Sequence, residues 1–455
     1  MKYYLAVDIG ASSGRHVLGY IEDGVIKTQE IYRFKNGFFE ENGHKKWDAE
    51  YLLKEIINGL KKAKELGKIP QSVGIDTWGV DYALLDKDDN LIDGVYAYRD
   101  SRTDKTVPAV HQKVPFAELY KRTGIAQASY NTVYQLYDDL MTGRMKKAKT
   151  FLMLPDYLHF LLTGVKKQEY SNATTTGLVN AKTKTWDFGT IAELGYKQSL
   201  FQTLYTAGDR VGKIKKEIAD EIGYETQVIL PPTHDTASAI LGAPIDTETL
   251  FLSSGTWSIL GVETDEIYTD ENALKSGYSG EGGYGKKTTL LTNIMGLWII
   301  QQIRKETGDK YSFAELSKLA EDNPVDRIIC VNDKEFLAPE NMTETVWKKA
   351  GGKMSLGETA YCVFNSLAVD YKRAVKDLEK TTGKRYNTLR IIGGGSQNNL
   401  LNALTKKHTG LRVTAGPTEC TAIGNLLAQM IASGEVANER EGRKMIEKSF
   451  EITEV

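Results

Sequence analysis

The chain has 455 residues, of which 41% are apolar, 58 are basic and 60 are acidic, and its formal net charge is −2. A chain of this length can bury a large core in two or three domains without disulfides. The balanced charge argues against a nucleic-acid partner, and no run of about 18 apolar residues predicts a membrane span.

The three cysteines, Cys330, Cys362 and Cys420, stand far apart and form no C-x-x-C pair. They therefore predict neither a disulfide framework nor a zinc site. The N-terminus passes directly into Tyr3–Ile9 and lacks the features of a signal peptide. These observations predict a cytoplasmic protein.

Strands and helices are predicted to alternate from the N-terminus onward. The apolar run Tyr3–Ile9 predicts a strand, which a tight turn over residues 10–15 joins to a second strand. The apolar stripe from Leu52 to Leu60 predicts an amphipathic helix capped by Asp48, and residues 72–76 predict a buried strand. This alternation indicates an α/β fold.

The centre of the chain carries dense proline punctuation, which predicts a domain boundary near residue 245. The predicted domains are therefore residues 1–245 and 246–455. The second half repeats the opening theme, because the strand at Leu250–Leu252 breaks into a Ser/Gly turn before apolar residues resume. A long helical stripe from Ala360 to Leu378 and a strand at Arg390–Ile392 follow. The repeated theme suggests two halves with related cores.

The segment Asp8–Arg15 places a carboxylate at a strand end beside a turn of small hydroxylated residues. Backbone N–H groups, serine hydroxyls and Arg15 can hold phosphate oxygens in such a turn, and Asp8 can hold hydrated Mg²⁺. The alternative is a hairpin with an Asp at its edge.

A second hydroxyl-rich turn, Leu252–Trp257, follows a strand in the other half of the chain, and Gly393–Gly395 ends a further strand. Glycines let a backbone approach a flat ligand closely, so these segments together favour nucleotide binding. The alternative for the triple glycine is a cap of a helix or strand.

The triplet His234-Asp235-Thr236 follows two prolines. Asp235 can accept the proton of a substrate hydroxyl that attacks a phosphoryl group. The alternative role, compatible with the first, is an N-cap for a helix over Thr236–Leu241. His234 by itself is more typical of a structural histidine.

Residues 76–81 and 98–103 surround aromatic side chains with polar groups in predicted loops. Such groups can hold a sugar through hydrogen bonds and ring contacts, although the second cluster alone is typical of an exposed ion-pair loop. Residues 293–298 are predicted to open a helix and, taken alone, are more typical of core.

In combination these segments resemble the FGGY carbohydrate kinases, most closely their rhamnulokinase branch. The resemblance covers the whole chain and is carried, in order, by residues 7–15, 75–81, 97–103, 154–157, 171–176, 234–238, 252–258, 293–298, 393–395 and 415–417. An ordered series of this kind is far more specific than any one of its members.

The resemblance implies two actin-like, ribonuclease-H-like α/β domains with a central interdomain cleft. It implies ATP-dependent phosphorylation of L-rhamnulose at O1, with Mg²⁺ and with Asp235 as the general base. We expect a monomer or homodimer. The remaining roles that it implies are sugar binding by Gly79, His234, Asp235, Thr236 and Asn293, metal binding by Asp8, and ATP binding by Ala11, Ser12, Ser13, Gly14, Arg15, Thr256, Gln301, Gly394 and Gly395.

Two other functions are compatible with the same motifs. One is phosphorylation of another acceptor, such as L-fuculose, L-xylulose or an autoinducer-type diketone. The other is an actin-like ATPase that has no small acceptor. A DNA-binding sugar sensor is not favoured, because the first phosphate turn begins within ten residues of Met1.

Overall fold

The computed structural model describes residues 1–455 and has the mixed α/β architecture that the sequence predicts. The strands are β1 (Tyr3–Ile9), β2 (Ser13–Glu22), β3 (Val25–Lys35), β4 (Phe38–Glu41), β5 (His44–Trp47), β6 (Pro70–Thr77), β7 (Tyr82–Leu85), β8 (Val95–Tyr96), β9 (Thr150–Met153), β10 (Gln168–Glu169), β11 (Val179–Asn180), β12 (Thr185–Trp186), β13 (Leu204–Tyr205), β14 (Arg210–Lys213), β15 (Gln227–Ile229), β16 (Thr249–Ser254), β17 (Trp257–Thr264), β18 (Ser279–Gly282), β19 (Thr288–Met295), β20 (Thr388–Ile392), β21 (Arg412–Ala415) and β22 (Thr453–Glu454).

The helices are α1 (Ala49–Glu65), α2 (Thr106–Lys113), α3 (Phe116–Thr123), α4 (Thr132–Met141), α5 (Arg144–Lys147), α6 (Leu154–Thr163), α7 (Tyr170–Thr174), α8 (Phe188–Leu194), α9 (Lys216–Ile222), α10 (Asp235–Leu241), α11 (Glu271–Ser276), α12 (Trp298–Glu306), α13 (Phe313–Glu321), α14 (Met342–Lys349), α15 (Leu356–Thr382), α16 (Asn399–Thr409), α17 (Cys420–Ala432) and α18 (Glu439–Ser449). Short 3₁₀ helices span Ser101–Thr103, Gln198–Leu200, Tyr284–Lys286, Lys334–Phe336 and Gly394–Gln397. None of the helices combines the length and the apolar character that a membrane crossing requires.

Local sequence signals set several of these elements. The Asp48 side chain accepts a hydrogen bond of 2.8 Å from Tyr51 N, so it caps α1 as predicted. The predicted long helix is α15, and a capping box of Ser355 and Glu358 starts it. These caps satisfy backbone N–H groups that a helix start otherwise leaves unpaired.

Two local predictions are wrong. Residues 293–298 do not open a helix, because Asn293 lies on β19 and α12 begins only at Trp298. Asp235 is not the N-cap of its helix either. His234 occupies the N-cap position with extended backbone angles, and Asp235 is the first helical residue.

The chain forms two compact units, and the first contains residues from both sides of residue 245, whereas the second begins at that residue. The first consists of Met1–Pro244, Thr264–Thr289 and Cys420–Ser449, and the second of Ile245–Glu263, Leu290–Glu419 and Phe450–Val455. The division into domains 1–245 and 246–455 follows chain order and stays a prediction.

The first unit is built on a six-stranded sheet in the order β14-β15-β6-β1-β2-β3. Strands β1, β2 and β3 form an antiparallel meander, and β6 pairs with β1 in parallel. Helix α17 packs against β1 and β6, where its Gln429 Nε2 donates to Leu5 O over 3.0 Å. A helix near the end of the chain thus completes the unit that the first strand begins.

The second unit repeats this pattern in the strand order β19-β17-β16-β20-β21-β22. Strand β16 pairs antiparallel with β17 and parallel with β20, just as β1 pairs with β2 and β6. Gly255 N donates to Trp257 O in its hairpin turn, and Gly10 N donates to Ser13 O in the turn between β1 and β2. The predicted relation between the two cores is therefore visible in strand order, and in both hairpins a glycine N–H closes the turn.

Candidate active site

Two aspartates lie side by side at the ends of neighbouring parallel strands. Asp8 on β1 is the register partner of Asp76 on β6, and both side chains are buried or nearly so. Asp76 Oδ2 accepts a hydrogen bond of 2.5 Å from Asn425 Nδ2, whereas Asp76 Oδ1 has no partner. Burial, with Asp8 close by, raises the pKa of Asp76 well above its ordinary value. The strand ends thus bring two carboxyl groups together at one point.

Arg15 pairs directly with the first of these aspartates. Its Nε and Nη2 donate to Asp8 Oδ2 over 2.9 and 2.7 Å across the β1–β2 hairpin. Ala11 and Ser12 form the turn of this hairpin, and Asn36 fixes the turn by donating to Gly10 O over 2.8 Å. The structure therefore brings the predicted metal ligand and the predicted phosphate-binding turn together.

Gly14, by contrast, is required for packing. A Cβ at this position would lie 2.1 Å from the ring of Phe34. Its lack of a side chain is therefore explained by the buried aromatic ring and not by contact with a ligand.

Asp235, the predicted general base, stands at the first position of α10 with 34% of its side chain exposed. Thr236 N and Oγ1 donate to Asp235 Oδ1 over 2.6 and 3.3 Å. Burial, reinforced by the negative charge of Asp8, raises the pKa of Asp235 to about 7, although the bonds from Thr236 oppose this shift. Asp235 thus belongs to the same cluster of charges as Asp8 and Asp76.

His234 lies between two carboxylates. Its Nε2 is 3.4 Å from Asp235 Oδ1, and its Nδ1 is 3.3 Å from Glu281 Oε2. Burial lowers the pKa of His234, and Glu281 partly opposes this effect. The imidazole is therefore favoured in its neutral form beside the predicted base.

The buried carboxylate of Glu169 holds the segment that carries these residues. Glu169 Oε2 accepts hydrogen bonds of 3.1 Å from both Thr233 N and Thr233 Oγ1. The same oxygen accepts a hydrogen bond of 2.8 Å from Ser171 N and another from Ser171 Oγ at the start of α7. Asn172 Nδ2 donates to Thr233 O over 3.1 Å. Helix α7 thereby fixes the residue that directly precedes His234.

Gly79, predicted to line the sugar site, sits in a tightly constrained loop after β6. A Cβ on Gly79 would come within 2.8 Å of the Thr175 side chain. The next residue, Val80, has a φ of 69°, a rare conformation for a β-branched side chain. Strain of this kind often occurs at functional sites, so the loop fits the predicted role.

Asp81, in contrast, has a structural role. Its Oδ2 accepts hydrogen bonds from Trp47 Nε1, Trp78 Nε1 and Tyr98 N over 2.7, 2.8 and 3.1 Å. Its other oxygen is 3.3 Å from the Gln135 amide. The carboxylate is therefore fully engaged in holding two indoles and a loop.

The second unit groups the predicted nucleotide-binding residues around the β16–β17 turn. Gln301 Nε2 donates to Thr256 Oγ1 over 3.2 Å. Thr256 O in turn accepts from Trp298 N over 3.1 Å at the start of α12. Asn293 is exposed on β19. Thr256 and Gln301 are thus brought together, as predicted.

The glycine triplet after β20 contains two packing positions and one open position. A Cβ on Gly395 would lie 2.0 Å from Ser254 Oγ, and one on Gly393 would lie 3.0 Å from Ser254 O. A Cβ on Gly394 would meet no atom within 4 Å. Of the three, Gly394 alone faces open space.

Sequence reasoning did not single out Glu169 or Glu281, and it considered Asp76 only as part of a sugar-binding loop. Glu169 lies two positions before the segment 171–176 but outside it, Glu281 lies in none of the ordered segments, and strand pairing brings Asp76 next to Asp8. The one usable signal was the pair of strands β1 and β6, which both carry Asp as the next-to-last residue.

The cluster at the strand ends fits a magnesium ion. Mg²⁺ is usually held by one or two carboxylates together with water and phosphate oxygens. Asp8, backed by the unpartnered oxygen of Asp76, offers such a donor set. No three His, Cys, Asp or Glu side chains in the chain are grouped closely enough to form a metal cage made of protein ligands alone.

Family models and similar proteins both point to one family. Residues 3–242 match the N-terminal domain and residues 250–433 the C-terminal domain of the FGGY family of carbohydrate kinases. The chain is 45% identical to a rhamnulokinase of Halalkalibacterium halodurans, covering 99% of this chain and 98% of that protein. It is 41% identical to a rhamnulokinase of Oceanobacillus iheyensis, covering 98% and 97%.

Solved structures show the same two-domain fold. A ligand-bound xylulose kinase from Lactobacillus acidophilus superposes with a TM-score of 0.83 at 18% identity, covering 98% of this chain and 92% of that one. Plasmodium falciparum glycerol kinase with ADP gives a TM-score of 0.80 at 16% identity, covering 99% and 94%.

We predict that Glu169→Ala destabilises the protein. The substitution leaves the buried donors of Ser171 and Thr233 without their acceptor, so we expect a loss of roughly 3 kcal/mol in the free energy of unfolding. Urea unfolding followed by circular dichroism measures this loss. Glu340→Ala, which removes an exposed glutamate, is the control and should stay within about 0.5 kcal/mol of wild type. Equal midpoints for Glu169→Ala and wild type would contradict the prediction.

Proposed function

The chain belongs to the FGGY family of carbohydrate kinases, and we propose that it transfers the γ-phosphoryl group of ATP to O1 of L-rhamnulose. The products are L-rhamnulose 1-phosphate and ADP. Relatives that are 38–45% identical over nearly their full length are rhamnulokinases, which supports this choice of sugar. The predicted cytoplasmic location and the monomeric or homodimeric state stay predictions.

The observation that carries the proposal is the environment of Asp235. A general base works best when its pKa lies near the working pH, and the pKa of Asp235 is raised to about 7. Its carboxylate is partly exposed and is held at Oδ1 by Thr236. Asp235 can therefore accept a proton from a hydroxyl group that approaches its exposed side.

In the proposed reaction, O1 of the sugar attacks the γ-phosphorus while its proton passes to Asp235. The bond between the γ-phosphorus and the bridging oxygen breaks, and ADP leaves with the electron pair. Phosphoryl transfer depends on positioning and on neutralisation of charge more than on covalent chemistry by the protein. The constrained segments around Gly79 and Thr233 supply rigid positions of this kind.

We assign sugar contacts to Gly79, His234, Asp235, Thr236 and Asn293. Thr236 already donates twice to Asp235, so it also orients the base. We assign ATP contacts to Ala11, Ser12, Ser13, Gly14, Arg15, Thr256, Gln301, Gly394 and Gly395. Gly14 and Gly395 have no side chains, so their contacts with ATP would be made by backbone atoms.

Mg²⁺ would be held by Asp8. When bound, it neutralises phosphate charge. Arg15 already pairs with Asp8, so this guanidinium stands where it can serve both the carboxylate and a phosphate oxygen.

We predict that L-rhamnulose is the preferred acceptor in a panel with L-fuculose, L-xylulose, D-xylulose and glycerol. ADP release coupled to each acceptor measures the preference. Preference for another acceptor would change the assigned substrate.

Asp235→Asn should lower kcat by roughly 10²- to 10⁴-fold, because it removes the base, while it leaves ATP binding nearly unchanged. Full activity of Asp235→Asn would refute the assigned base.

We also predict a specific pH dependence. Because Asp235 must be ionised to act, kcat/KM for the sugar should rise with pH through about 7. The raised pKa means that the fold favours the protonated carboxyl. The contribution of Asp235 to the stability of the fold is complete below about pH 4, where the unfolded chain also binds the proton, and is lost as the pH rises to about 7. Asp235→Asn lacks this ionisation, so its Tm relative to that of wild type should increase between pH 4 and pH 8. A Tm difference that stays constant with pH would contradict this.

Gly394 provides a test of the nucleotide side. Gly394→Ala meets no clash, so the variant should keep its Tm while its KM for ATP rises about tenfold, as the methyl group occupies the open side of the turn. Gly395→Ala should instead lower Tm through its clash with Ser254. An unchanged KM for ATP in Gly394→Ala would place the nucleotide elsewhere.

A further inference from the structure

Glu281 stands next to the predicted catalytic residues, although no motif marks it in the sequence. It lies on β18, and its Oε2 is 3.3 Å from His234 Nδ1. On the opposite edge of the same ring, His234 Nε2 is 3.4 Å from Asp235 Oδ1. Only 15% of the Glu281 side chain and 11% of the His234 side chain are exposed. The imidazole is therefore enclosed between a base and a second carboxylate.

The backbone around Glu281 is anchored on both sides. Gly282 N donates to Thr174 Oγ1 over 2.8 Å, and Gly280 N donates to Gly124 O over 2.7 Å. Gly282 has no room for a side chain, since a Cβ would lie 2.6 Å from the Tyr170 ring. The backbone next to Glu281 is thus anchored to α7, the same short helix that fixes the segment before His234.

The surroundings of Glu281 contain few charged groups. His234 and Asp235 face it from the start of α10, Tyr130 from the loop before α4, and Ser279 from its own strand. Burial raises the pKa of Glu281, and Asp235 adds to this effect, whereas His234 and Ser279 oppose it. His234 is therefore the basic group toward which the Glu281 carboxylate is directed.

The contact determines which ring nitrogen carries the proton. An ionised carboxylate only accepts hydrogen bonds, so Glu281 favours a proton on Nδ1. Nδ1 is buried and makes no hydrogen bond in this structure, so the Glu281 carboxylate at 3.3 Å is an acceptor within reach of an otherwise unsatisfied nitrogen. At 3.3 Å the contact is longer than the roughly 2.8 Å of a tight charge-assisted bond, which is common at catalytic sites before substrate binds.

A neutral imidazole with its proton on Nδ1 presents a lone pair at Nε2. That lone pair and Asp235 Oδ1 are then two acceptors 3.4 Å apart, and a donor placed near both would relieve the repulsion between them. A hydroxyl group of the sugar is a donor of the required kind. The arrangement would thus recognise a hydroxyl at the position where the base acts.

We infer that Glu281 is a positioning residue that holds His234 through Nδ1–H and directs the Nε2 lone pair toward a sugar hydroxyl beside Asp235. This inference rests on the proposed function and deepens it. It adds the group that fixes the tautomer of the sugar-binding histidine.

Two substitutions at Glu281 separate its role in orienting His234 from the effect of its negative charge. Glu281→Ala should raise KM for the sugar and lower kcat, with a combined loss of roughly 10- to 100-fold in kcat/KM, while KM for ATP stays the same. Glu281→Gln keeps a carbonyl oxygen that can accept from Nδ1–H, so its kcat/KM should stay within about threefold of wild type. Glu217→Gln, at an exposed glutamate of α9, is the matched control and should match wild type.

A spectroscopic measurement tests the inference without any turnover. With ¹⁵N-labelled histidine, the ring nitrogen shifts distinguish the two tautomers, and His234→Asn assigns the signal among the six histidines. We expect wild type and Glu281→Gln to show the proton on Nδ1, and Glu281→Ala to lose this preference.

Two results would overturn the inference: a proton on Nε2 in the neutral imidazole of wild type, or unchanged sugar kinetics in a folded Glu281→Ala. If Glu281→Ala does not fold, the wild-type tautomer and the Glu281→Gln kinetics decide. Failure of the proposed function is distinct, because a wild type that phosphorylates no sugar still reports its His234 tautomer. A wild type that prefers another sugar is tested with that sugar.

Discussion

The geometry of the first unit's site depends on one buried carboxylate, that of Glu169. It accepts hydrogen bonds from both the backbone and the hydroxyl of Thr233 and from the start of α7. Helix α7 also receives the backbone of Gly282 through Thr174. A single small helix therefore fixes the segments that carry His234, Asp235 and Glu281. Burial raises the pKa of Glu169, and the hydrogen bonds that it accepts compensate in part for the cost of burying its charge.

Neighbouring parallel strands impose the other constraint. Because β1 and β6 pair in parallel register, Asp8 and Asp76 near their ends are held next to each other by the backbone. Asn425 and Arg15 each satisfy one of them, through Asp76 Oδ2 and Asp8 Oδ2. Asn425 comes from α17, near the end of the chain. Helix α17 thus packs against the sheet of the first unit and also supplies the hydrogen-bond donor for Asp76.

Much of the fold could be predicted from the sequence, because strand and helix signals are local. The strand Tyr3–Ile9, the Asp48 cap and the long helix α15 follow from periodicity and capping chemistry. The ordered motifs also predicted the FGGY family, which the matches over residues 3–242 and 250–433 confirm. The error at residues 293–298 arose because an apolar run does not distinguish the end of a buried strand from the start of a helix.

The site was less predictable, because its chemistry depends on contacts distant in sequence. Asp81 is a residue type that often binds sugar hydroxyls, yet its carboxylate accepts hydrogen bonds from two indole N–H groups and a backbone N–H. Glu169 and Glu281 have no local signature, and their roles follow from Thr233 and His234, which lie 64 and 47 positions away in the chain. The assigned roles of Asp235, Asp8 and the ATP-contacting residues stay predictions, since contacts with ligands decide them.

The local charge of the site bears on how it would receive a nucleotide. The overall net charge of −2 is close to zero, but Asp8, Asp76 and Asp235 are concentrated at one end of the first unit's sheet. Arg15 is paired with Asp8 and offsets only part of this charge. Phosphates that approach such a cluster meet carboxylates as well as the guanidinium, and a divalent cation that accompanied them would offset the repulsion. Burial is the main reason that the pKa values of Asp76 and Asp235 are raised, and repulsion by Asp8 adds to it; a bound cation would relieve this second contribution. A divalent cation held at Asp8 would therefore offset part of the negative charge that this cluster presents to a phosphate, and it would complement the single guanidinium of Arg15.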